Sequence, residues 1–190
     1  RPAPEALGAT LCASEEVYSA LAMSYPGLRV LGAPDSARAK VLLTDALDAE
    51  ARDALKGGRR VILLKLDGPV QGQKLGWWWK NPQMGAAVAS HPAFGAFPHQ
   101  GYLNELFFRL ADHTSKMSSG PYRPVEPLMV GYGSEGYLMH VFQARVGEGR
   151  LLASGLNLLS GCPEAAYLLH EFINYALSEQ FNPSAELVPP

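Results

Sequence analysis

The side chains best suited to hold a ligand are three adjacent tryptophans in the segment Gly-Trp-Trp-Trp-Lys-Asn-Pro. Trp77, Trp78 and Trp79 are followed closely by Asn81. Three consecutive indoles cannot all face one core, so we expect at least one at the surface, where it can stack on a sugar ring or another flat ligand. The segment therefore predicts a ligand platform with Asn81 as a polar partner. Two alternatives are a plug over the open end of a sheet and a contact with another protein.

A second group of chemistry-bearing residues lies between positions 90 and 105. His91 and His99 stand eight residues apart in a loop punctuated by prolines, where two imidazoles could serve as acid and base or as ligands. The other polar and aromatic candidates of this segment are Gln100, Tyr102 and Glu105. No third metal ligand has suitable spacing, so we predict no metal site. Alternatively, Phe94 and Phe97 anchor the loop with Tyr102, and the histidines make structural hydrogen bonds.

Three further polar residues directly follow segments that look like strands. Asp45, Asp67 and Asn157 each come just after an apolar run. Because ligands bind beyond the carboxyl ends of parallel strands, these side chains are candidates for the floor of a cleft. An Asp after a strand is also a common turn or capping residue, which is the alternative interpretation.

Several chemistries have no supporting motif in the chain. There is no phosphate-binding loop of the Gly-Lys-Ser/Thr type and no nucleophile elbow after an apolar strand, so we predict neither a cofactor nor a hydrolase triad. Cys12 and Cys162 are too few for a disulfide framework and lack metal-ligand spacing. They are expected to be free thiols, although a bridge between them stays open in an oxidising compartment.

Length and composition limit the class of protein. The 190 residues are the size of one domain, and we assign residues 1–190 to a single unit. With 47% hydrophobic and 18% charged residues the chain can bury a core, which excludes global disorder. A net charge of −2 without charged blocks gives no basis for binding nucleic acid or an anionic membrane. Proline at both ends is typical of a domain excised from a longer protein.

The elements that must position these side chains begin with alternating strands and helices. The predicted strands cover residues 9–13, 28–31, 39–44 and 60–64. Ser14 and Asp48 are expected to cap two intervening helices, the second of which ends at Gly57 and Gly58. Short strands that alternate with helices predict a parallel sheet covered by helices on its faces.

After residue 66 the pattern of apolar residues is first irregular and then becomes regular again. Residues 67–127 lack clean periodicity, with a short helix favoured at 83–90 and either helix or strand at 102–110. Further strands are predicted at 128–132, 138–146 and 150–156, the last two joined in a hairpin by the turn Gly147-Glu148-Gly149. A final helix starts at Pro163. We therefore predict an α/β fold of three layers, with a mostly parallel sheet and a C-terminal antiparallel hairpin.

Some of these segments resemble a known family. Residues 41–48, 57–64, 147–152 and 161–169, read in order, resemble a class I glutamine-amidotransferase-like domain, which implies a flavodoxin-like fold. With residues 90–101 between them, the chain resembles the accessory domains that follow the catalytic barrel in bacterial family 2 glycoside hydrolases of the β-galactosidase and β-glucuronidase type. The resemblance extends over about residues 9–183.

The resemblance implies a function as well as a fold. True amidotransferases carry a nucleophilic cysteine after a central strand, whereas residues 61–66 here run into Asp67-Gly68-Pro69. We therefore expect a non-catalytic module of a secreted or periplasmic glycoside hydrolase that binds carbohydrate and accompanies the catalytic domain of the same chain. Two alternatives are a ligand-free interdomain or oligomerisation domain, which would pair with a second copy, and a hydrolase that uses His91, His99 and an acid.

Overall fold

The chain folds around one mixed sheet. The computed structural model describes residues 3–66, 72–74, 87–111, 115–118, 125–133 and 136–187. The strands are β1 Leu11–Ala13, β2 Arg29–Val30, β3 Val41–Thr44, β4 Arg60–Leu63, β5 Gly72–Lys74, β6 Ala87–Val88, β7 Ser115–Ser118, β8 Glu126–Gly133, β9 Gly136–Val146 and β10 Gly149–Ser154. The helices are α1 Pro4–Gly8, α2 Glu15–Leu21, α3 Ala49–Lys56, α4 Phe108–Ala111 and α5 Pro163–Leu177. In the described ranges, 3₁₀ turns cover Ser36–Arg38, Pro92–Phe94 and Glu105–Phe107.

Five strands form a parallel set in the order β2-β1-β3-β4-β10. Every residue of β1 and β3 is buried, as expected for strands covered on both faces. Four of these strands lie within the segments predicted at residues 9–13, 28–31, 39–44 and 60–64. The alternation of apolar runs and helices thus identified the parallel part of the sheet correctly.

The antiparallel part begins with the predicted hairpin. β9 and β10 pair from Val146 and Gly149 outward, and Gly147 in the turn has a φ of +58°, which favours glycine. β8 and β7 also pair with β9, β5 pairs with β7, and β6 pairs with β8. The antiparallel region therefore extends well beyond the single hairpin that the sequence indicated.

The irregular middle segment differs from its prediction at one described place. Residues 87–88, expected at the end of a short helix, form strand β6. Val88 donates its N–H to the carbonyl of Gly101, and Ala89 donates to that of Leu128. These pairings join residues far apart in the chain, so local propensity could not reveal them. Residues 102–110 contain the Glu105–Phe107 turn and most of α4, which settles the open choice in favour of helix.

The helices cover both faces of the parallel strands. Leu11 and Ala13 share a core cluster with α2 and α5, whereas Cys12 between them belongs to a second cluster with α3. This division follows from the alternation of side chains along a strand. The cap of α3 is the predicted one, because the Asp48 carboxylate accepts a hydrogen bond from the N–H of Ala51 at 2.8 Å. Within the described residues, no helix has the length and apolar character needed to cross a membrane.

Candidate functional site

The segment of residues 91–105 is anchored on α5 by aromatic side chains. The fully buried ring of Phe94 packs against Phe172, with ring centroids 5.9 Å apart. The ring centroid of Phe97 lies 5.1 Å from that of Phe107 and 5.5 Å from that of Tyr167. The Tyr167 hydroxyl donates a hydrogen bond to the carbonyl of Ala96 at 2.9 Å. The backbone of this segment is therefore held rigidly, which is what a preformed binding surface requires.

The two histidines of the segment serve its own backbone. His91 Nδ1 accepts a hydrogen bond from the N–H of Ala93 at 3.2 Å, and His99 Nδ1 accepts one from Gly101 at 3.3 Å. The His91 ring packs edge-on against Tyr175, and the His99 ring contacts Phe94. Among the described residues no hydrogen bond joins the two imidazoles. The structure thus shows each histidine in a structural role and does not bring them together as an acid and base pair.

Burial also affects the protonation of His91. It lowers the pKa of the imidazole below its ordinary value, although the nearby negative charge of Glu126 acts in the opposite direction. The neutral form is therefore favoured, in agreement with an Nδ1 that accepts a hydrogen bond.

The exposed polar and aromatic side chains of the segment lie after His99. Tyr102 is 36% exposed, and its hydroxyl donates to Gln100 Oε1 at 2.7 Å. Glu105 is exposed at the start of a 3₁₀ turn that Asn104 caps, with Asn104 Oδ1 accepting from the N–H of Leu106 at 3.1 Å. A partly exposed ring with an oriented amide and a nearby carboxylate forms a small surface that can contact a flat polar ligand. We call Gln100, Tyr102 and Glu105 the Tyr102 surface.

The predicted tryptophan platform is not part of the described structure. Trp77, Trp78, Trp79 and Asn81 lie outside the described residues, as does Asp67. The chain re-enters the described structure at β6, where Ala87 forms a β-bridge with Tyr102. Strand β6, which follows the tryptophan segment in the sequence, therefore lies beside the Tyr102 surface.

A polar pair occupies the carboxyl end of the parallel strands. Ser14 follows β1 and Asp45 follows β3, and the Ser14 hydroxyl donates to Asp45 Oδ1 at 2.7 Å. These two strands are neighbours at the point where the strand order reverses, which is the usual place of a ligand crevice in α/β sheets. Ser14 stands at the N-cap of α2 but makes no capping hydrogen bond, because its hydroxyl is directed to Asp45.

The pKa of the Asp45 carboxyl lies below its ordinary value. Burial raises it, but hydrogen bonds, first that from Ser14, and the positive charge of Lys65 outweigh the burial. The third candidate of this edge, Asn157, serves a turn: its N–H donates to the carbonyl of Leu110 at 2.8 Å, and its own carbonyl accepts from Ser160. Among the described residues, the hydrogen-bonded side chains of Ser14 and Asp45 are therefore the candidate polar pair at this edge of the sheet.

Sequence analysis missed a polar network between β8, β9 and α5. The Tyr175 hydroxyl donates to Gln143 Oε1 at 2.7 Å, and Gln143 Nε2 donates to Glu126 Oε2 at 2.6 Å. The other carboxylate oxygen of Glu126 accepts from the backbone of Ser184 and from that of Ala185. Residues 134–135 connect β8 to β9, and pairing the two strands outward from this connection places Glu126 opposite Gln143. The register of this strand pair was therefore a signal from which the contact could have been predicted.

The network shifts the pKa values of its two ionisable members in opposite directions. Burial raises the pKa of the Glu126 carboxyl, but the hydrogen bonds from Ser184, Gln143 and Ala185 outweigh it and hold the value below the ordinary one. Burial raises the pKa of the Tyr175 hydroxyl, and the Glu126 charge raises it further. At neutral pH the Glu126 carboxylate therefore accepts a hydrogen bond from Gln143, which accepts one from the neutral Tyr175 hydroxyl. A polar network in which each group has a partner is a stable structural arrangement.

One glycine pattern escaped the sequence analysis. Gly131, Gly133 and Gly136 have the Gly-x-Gly-x-x-Gly spacing of dinucleotide-binding loops. The structure places them where β8 ends and β9 begins, an antiparallel pair, whereas a dinucleotide loop joins a strand to a helix. The pattern is therefore a feature of the strand pair and gives no support for nucleotide binding.

The two cysteines are not joined in a disulfide. Cys12 and Cys162 are free; the first is buried in β1, where burial raises the pKa of its thiol. The second precedes α5 and accepts a hydrogen bond from the Ser160 hydroxyl at 3.3 Å. In the part of the chain that the structure describes, no three His, Cys, Asp or Glu side chains are grouped so as to hold a metal ion.

The chain is thus a mixed α/β domain that carries the Tyr102 surface beside β6. Residues 42–189 match the family described as Domain of unknown function (DUF8487), and the chain belongs to that family. No curated protein matched the chain.

Proposed function

We propose that this chain is a non-catalytic accessory module of a carbohydrate-active enzyme and that it binds carbohydrate through the Tyr102 surface and the tryptophan segment. The observation that carries the proposal is the partly exposed Tyr102 ring, whose hydroxyl orients the Gln100 amide on a loop held by the buried Phe94 and Phe97. Sugars bind to flat apolar groups surrounded by a few fixed hydrogen-bonding groups, because a pyranose has an apolar face and a polar rim.

The architecture supports the class of module. The order β2-β1-β3-β4-β10 is the strand order of flavodoxin-like sheets, with α2 and α5 on one face and α3 on the other. We infer a flavodoxin-like, three-layer sandwich extended by antiparallel strands. This agrees with the resemblance to the glutamine-amidotransferase-like accessory domains of family 2 glycoside hydrolases, whose location outside the cytoplasm we propose for this chain too.

The absence of a nucleophilic side chain directly after β4 supports a non-catalytic role. β4 lies between the parallel strands β3 and β10, the central position of an amidotransferase nucleophile strand. The residues that follow it are Leu64, Lys65 and Leu66, then Asp67-Gly68-Pro69. None of these side chains can act as the thiol or hydroxyl nucleophile of a triad.

A glycan array with the full chain tests the proposal, followed by affinity measurements on the sugar that binds best. We expect Tyr102→Ala to weaken binding about tenfold or more, since loss of one stacking ring and its hydroxyl removes roughly 1.5 kcal/mol. Replacing Trp77, Trp78 and Trp79 together by Ala should also reduce it. Met23→Ala is the control, because Met23 is 94% exposed and lies on another element.

Two results would reject the proposal. One is the absence of any glycan bound by the wild-type chain, and the other is binding that survives in both the Tyr102 and the tryptophan variants. Circular dichroism on every variant establishes that lost binding does not come from unfolding. Quenching of tryptophan fluorescence by the same sugar provides a second readout, because an indole in contact with a ligand changes its emission.

An interface module is the second candidate, and the exposure of Met23 favours it. Met23 is 94% exposed just after α2, although large apolar side chains are usually covered. In this case Met23 contacts another domain of the parent protein or a second copy of the chain. Sedimentation equilibrium of wild type and Met23→Glu tests for the second copy: self-association lost in the variant would support it.

A further inference from the structure

We propose that the cavity between α2 and α5 binds a small, uncharged and mostly apolar molecule that carries one hydrogen-bond acceptor. The cavity has a volume of about 380 Å³, and its apolar walls include Leu21, Leu158, Leu159 and Leu169. It is separate from the Tyr102 surface, so this site does not depend on the proposed carbohydrate binding.

The size and the walls of the cavity fit a small organic ligand. Ligand pockets in proteins have volumes of about 300–1,000 Å³ and are lined mainly by apolar and aromatic groups with a few polar ones. The described residues that line this cavity include no Asp, Glu, Lys or Arg, although His170 is among them. An ion placed there would lose its hydration without a permanently charged partner, which favours an uncharged ligand.

Tyr25 supplies the polar group that the ligand would meet. Its residue is only 5% exposed, it lines the cavity, and its hydroxyl makes no hydrogen bond to any residue that the structure describes. Because Tyr25 lines a cavity of ligand size and its hydroxyl has no described partner, the hydroxyl is free to donate to an acceptor placed there. In contrast, the hydroxyl of Tyr167, also in the lining, is already engaged with the carbonyl of Ala96.

The protonation state of Tyr25 determines which ligand atom fits. Burial raises the pKa of this hydroxyl to about 12, so it is protonated at neutral pH and can donate. A carbonyl or ether oxygen on the ligand would accept this hydrogen bond while the rest of the molecule contacts the leucines. The ligand class is therefore a small aryl or alkyl ketone, ester or ether.

Nuclear magnetic resonance titration of the ¹⁵N-labelled full chain tests this inference with three probes of similar shape. Acetophenone has the acceptor, ethylbenzene lacks it, and benzoate carries a charge. We expect acetophenone to shift the amides of residues in the walls with a dissociation constant of about 1 mM, usual for a fragment of this size. Ethylbenzene should bind about fivefold more weakly, because it cannot accept the hydrogen bond, and benzoate should not bind.

Two variants separate the hydrogen bond from the cavity. Tyr25→Phe should remove the preference for acetophenone over ethylbenzene, and its urea midpoint should equal or exceed that of wild type, since no partner loses a hydrogen bond. Ala166→Trp, at an exposed residue of the lining, should abolish binding of both probes by filling the cavity. Glu148→Gln, in the exposed turn between β9 and β10, is the control that leaves binding unchanged.

Three results would overturn the proposal. They are the absence of saturable shifts confined to the cavity walls, an acetophenone preference that persists in Tyr25→Phe, and binding that persists in Ala166→Trp. A lower urea midpoint for Tyr25→Phe would also count against it, because it would show that the hydroxyl has a partner within the protein. None of these outcomes depends on whether the chain binds sugar.

Discussion

At the scale of single residues, several polar side chains hold the backbone, among them His91, which the sequence offered as a candidate acid or base. His91, Asn104 and Asp48 each accept a hydrogen bond from an N–H group that would otherwise lack a partner at the start of a helical turn. Glu126 does the same for the chain near the C-terminus, where it accepts from two successive N–H groups. Of these residues, His91 and Glu126 have folded pKa values that differ from their ordinary ones, so their contributions to stability are measurable by pH.

Replacing Glu126 should destabilise the fold in a pH-dependent manner. The pKa of this carboxyl is lower in the folded chain than its ordinary value of 4.5, so its contribution is complete above pH 4.5 and is lost as the pH falls through the folded value. We expect Glu126→Gln to lower the free energy of unfolding by about 2 kcal/mol at neutral pH, since several hydrogen bonds to a charged acceptor weaken. Urea denaturation measures it.

The control for this change is Glu148→Gln, because Glu148 is exposed in the turn between β9 and β10. The control should leave the free energy of unfolding within about 0.5 kcal/mol of wild type. The difference between Glu126→Gln and wild type should shrink in acid. A constant difference down to about pH 3 would show that the charge of Glu126 does not stabilise the fold.

His91 should make the protein less stable in mild acid. Its folded pKa lies below the ordinary value of 6.5, so the unfolded chain takes up a proton first as the pH falls. Stability attributable to neutral His91 is complete above pH 6.5 and is lost as the pH falls through the folded value. His91→Asn keeps a cap acceptor but does not titrate. Its stability relative to wild type should therefore rise between about pH 7.5 and pH 5, measured by urea denaturation; an unchanged difference would contradict this.

At the scale of secondary-structure elements, the contact of α3 with the β9–β10 hairpin depends on a missing side chain. Gly149 at the start of β10 is buried, and a Cβ there would lie 2.7 Å from the Cα of Leu55 in α3. A backbone atom at that distance cannot move aside without displacing the helix. The close approach of helix and strand is therefore possible only with glycine at this position.

Gly149→Ala should lower the free energy of unfolding by about 3 kcal/mol, because α3 must shift away from the sheet. Gly147→Ala is the matched control in the same hairpin. Its φ of +58° is unfavourable for alanine, but no described atom lies within 4 Å of its Cβ position, so a loss of about 1 kcal/mol is expected. Thermal unfolding followed by circular dichroism compares the two variants. Equal losses would mean that the contact with Leu55 is not the limiting one.

At the scale of the whole molecule, the C-terminal segment joins the parallel and antiparallel parts. Phe181 is fully buried against Tyr175, and its carbonyl accepts a hydrogen bond from Arg150 in β10 at 2.6 Å. Further along, the backbone of Arg145 in β9 pairs with Ala185 and Leu187. Since one segment contacts α5, β9 and β10, we expect the domain to unfold as one cooperative unit.

Phe181→Ala should lower the free energy of unfolding by about 4 kcal/mol, the usual loss for a fully buried phenylalanine. The amide signals of β3 and of β8, followed by nuclear magnetic resonance during urea titration, should report the same transition midpoint in both wild type and variant. Met23→Ala, at an exposed side chain, should change stability by less than about 0.5 kcal/mol. Separate midpoints for the two probes would show that the two parts of the sheet unfold independently.

Features that depend on neighbours in the chain could be predicted from the sequence. The parallel strands, the Asp48 cap of α3, the turn at Gly147 and the start of α5 at Pro163 all follow from residues within a few positions of one another. Capping, turn formation and apolar alternation are local effects, which explains why composition and spacing were sufficient. The anchoring roles of Phe94 and Phe97 were among the interpretations that the sequence left open.

Features that depend on distant residues were decided by the tertiary structure alone. The Ser14 hydroxyl, expected to cap a helix, is directed to Asp45, 31 residues away. The register of β8 on β9 brings Glu126 to Gln143, and the packing of α2 beside α5 creates the cavity at Tyr25. Each arises where two elements meet. Local pattern determines which elements form, but the choice of partner for a polar group depends on the free energy of packing the whole sheet, and only the folded chain specifies it.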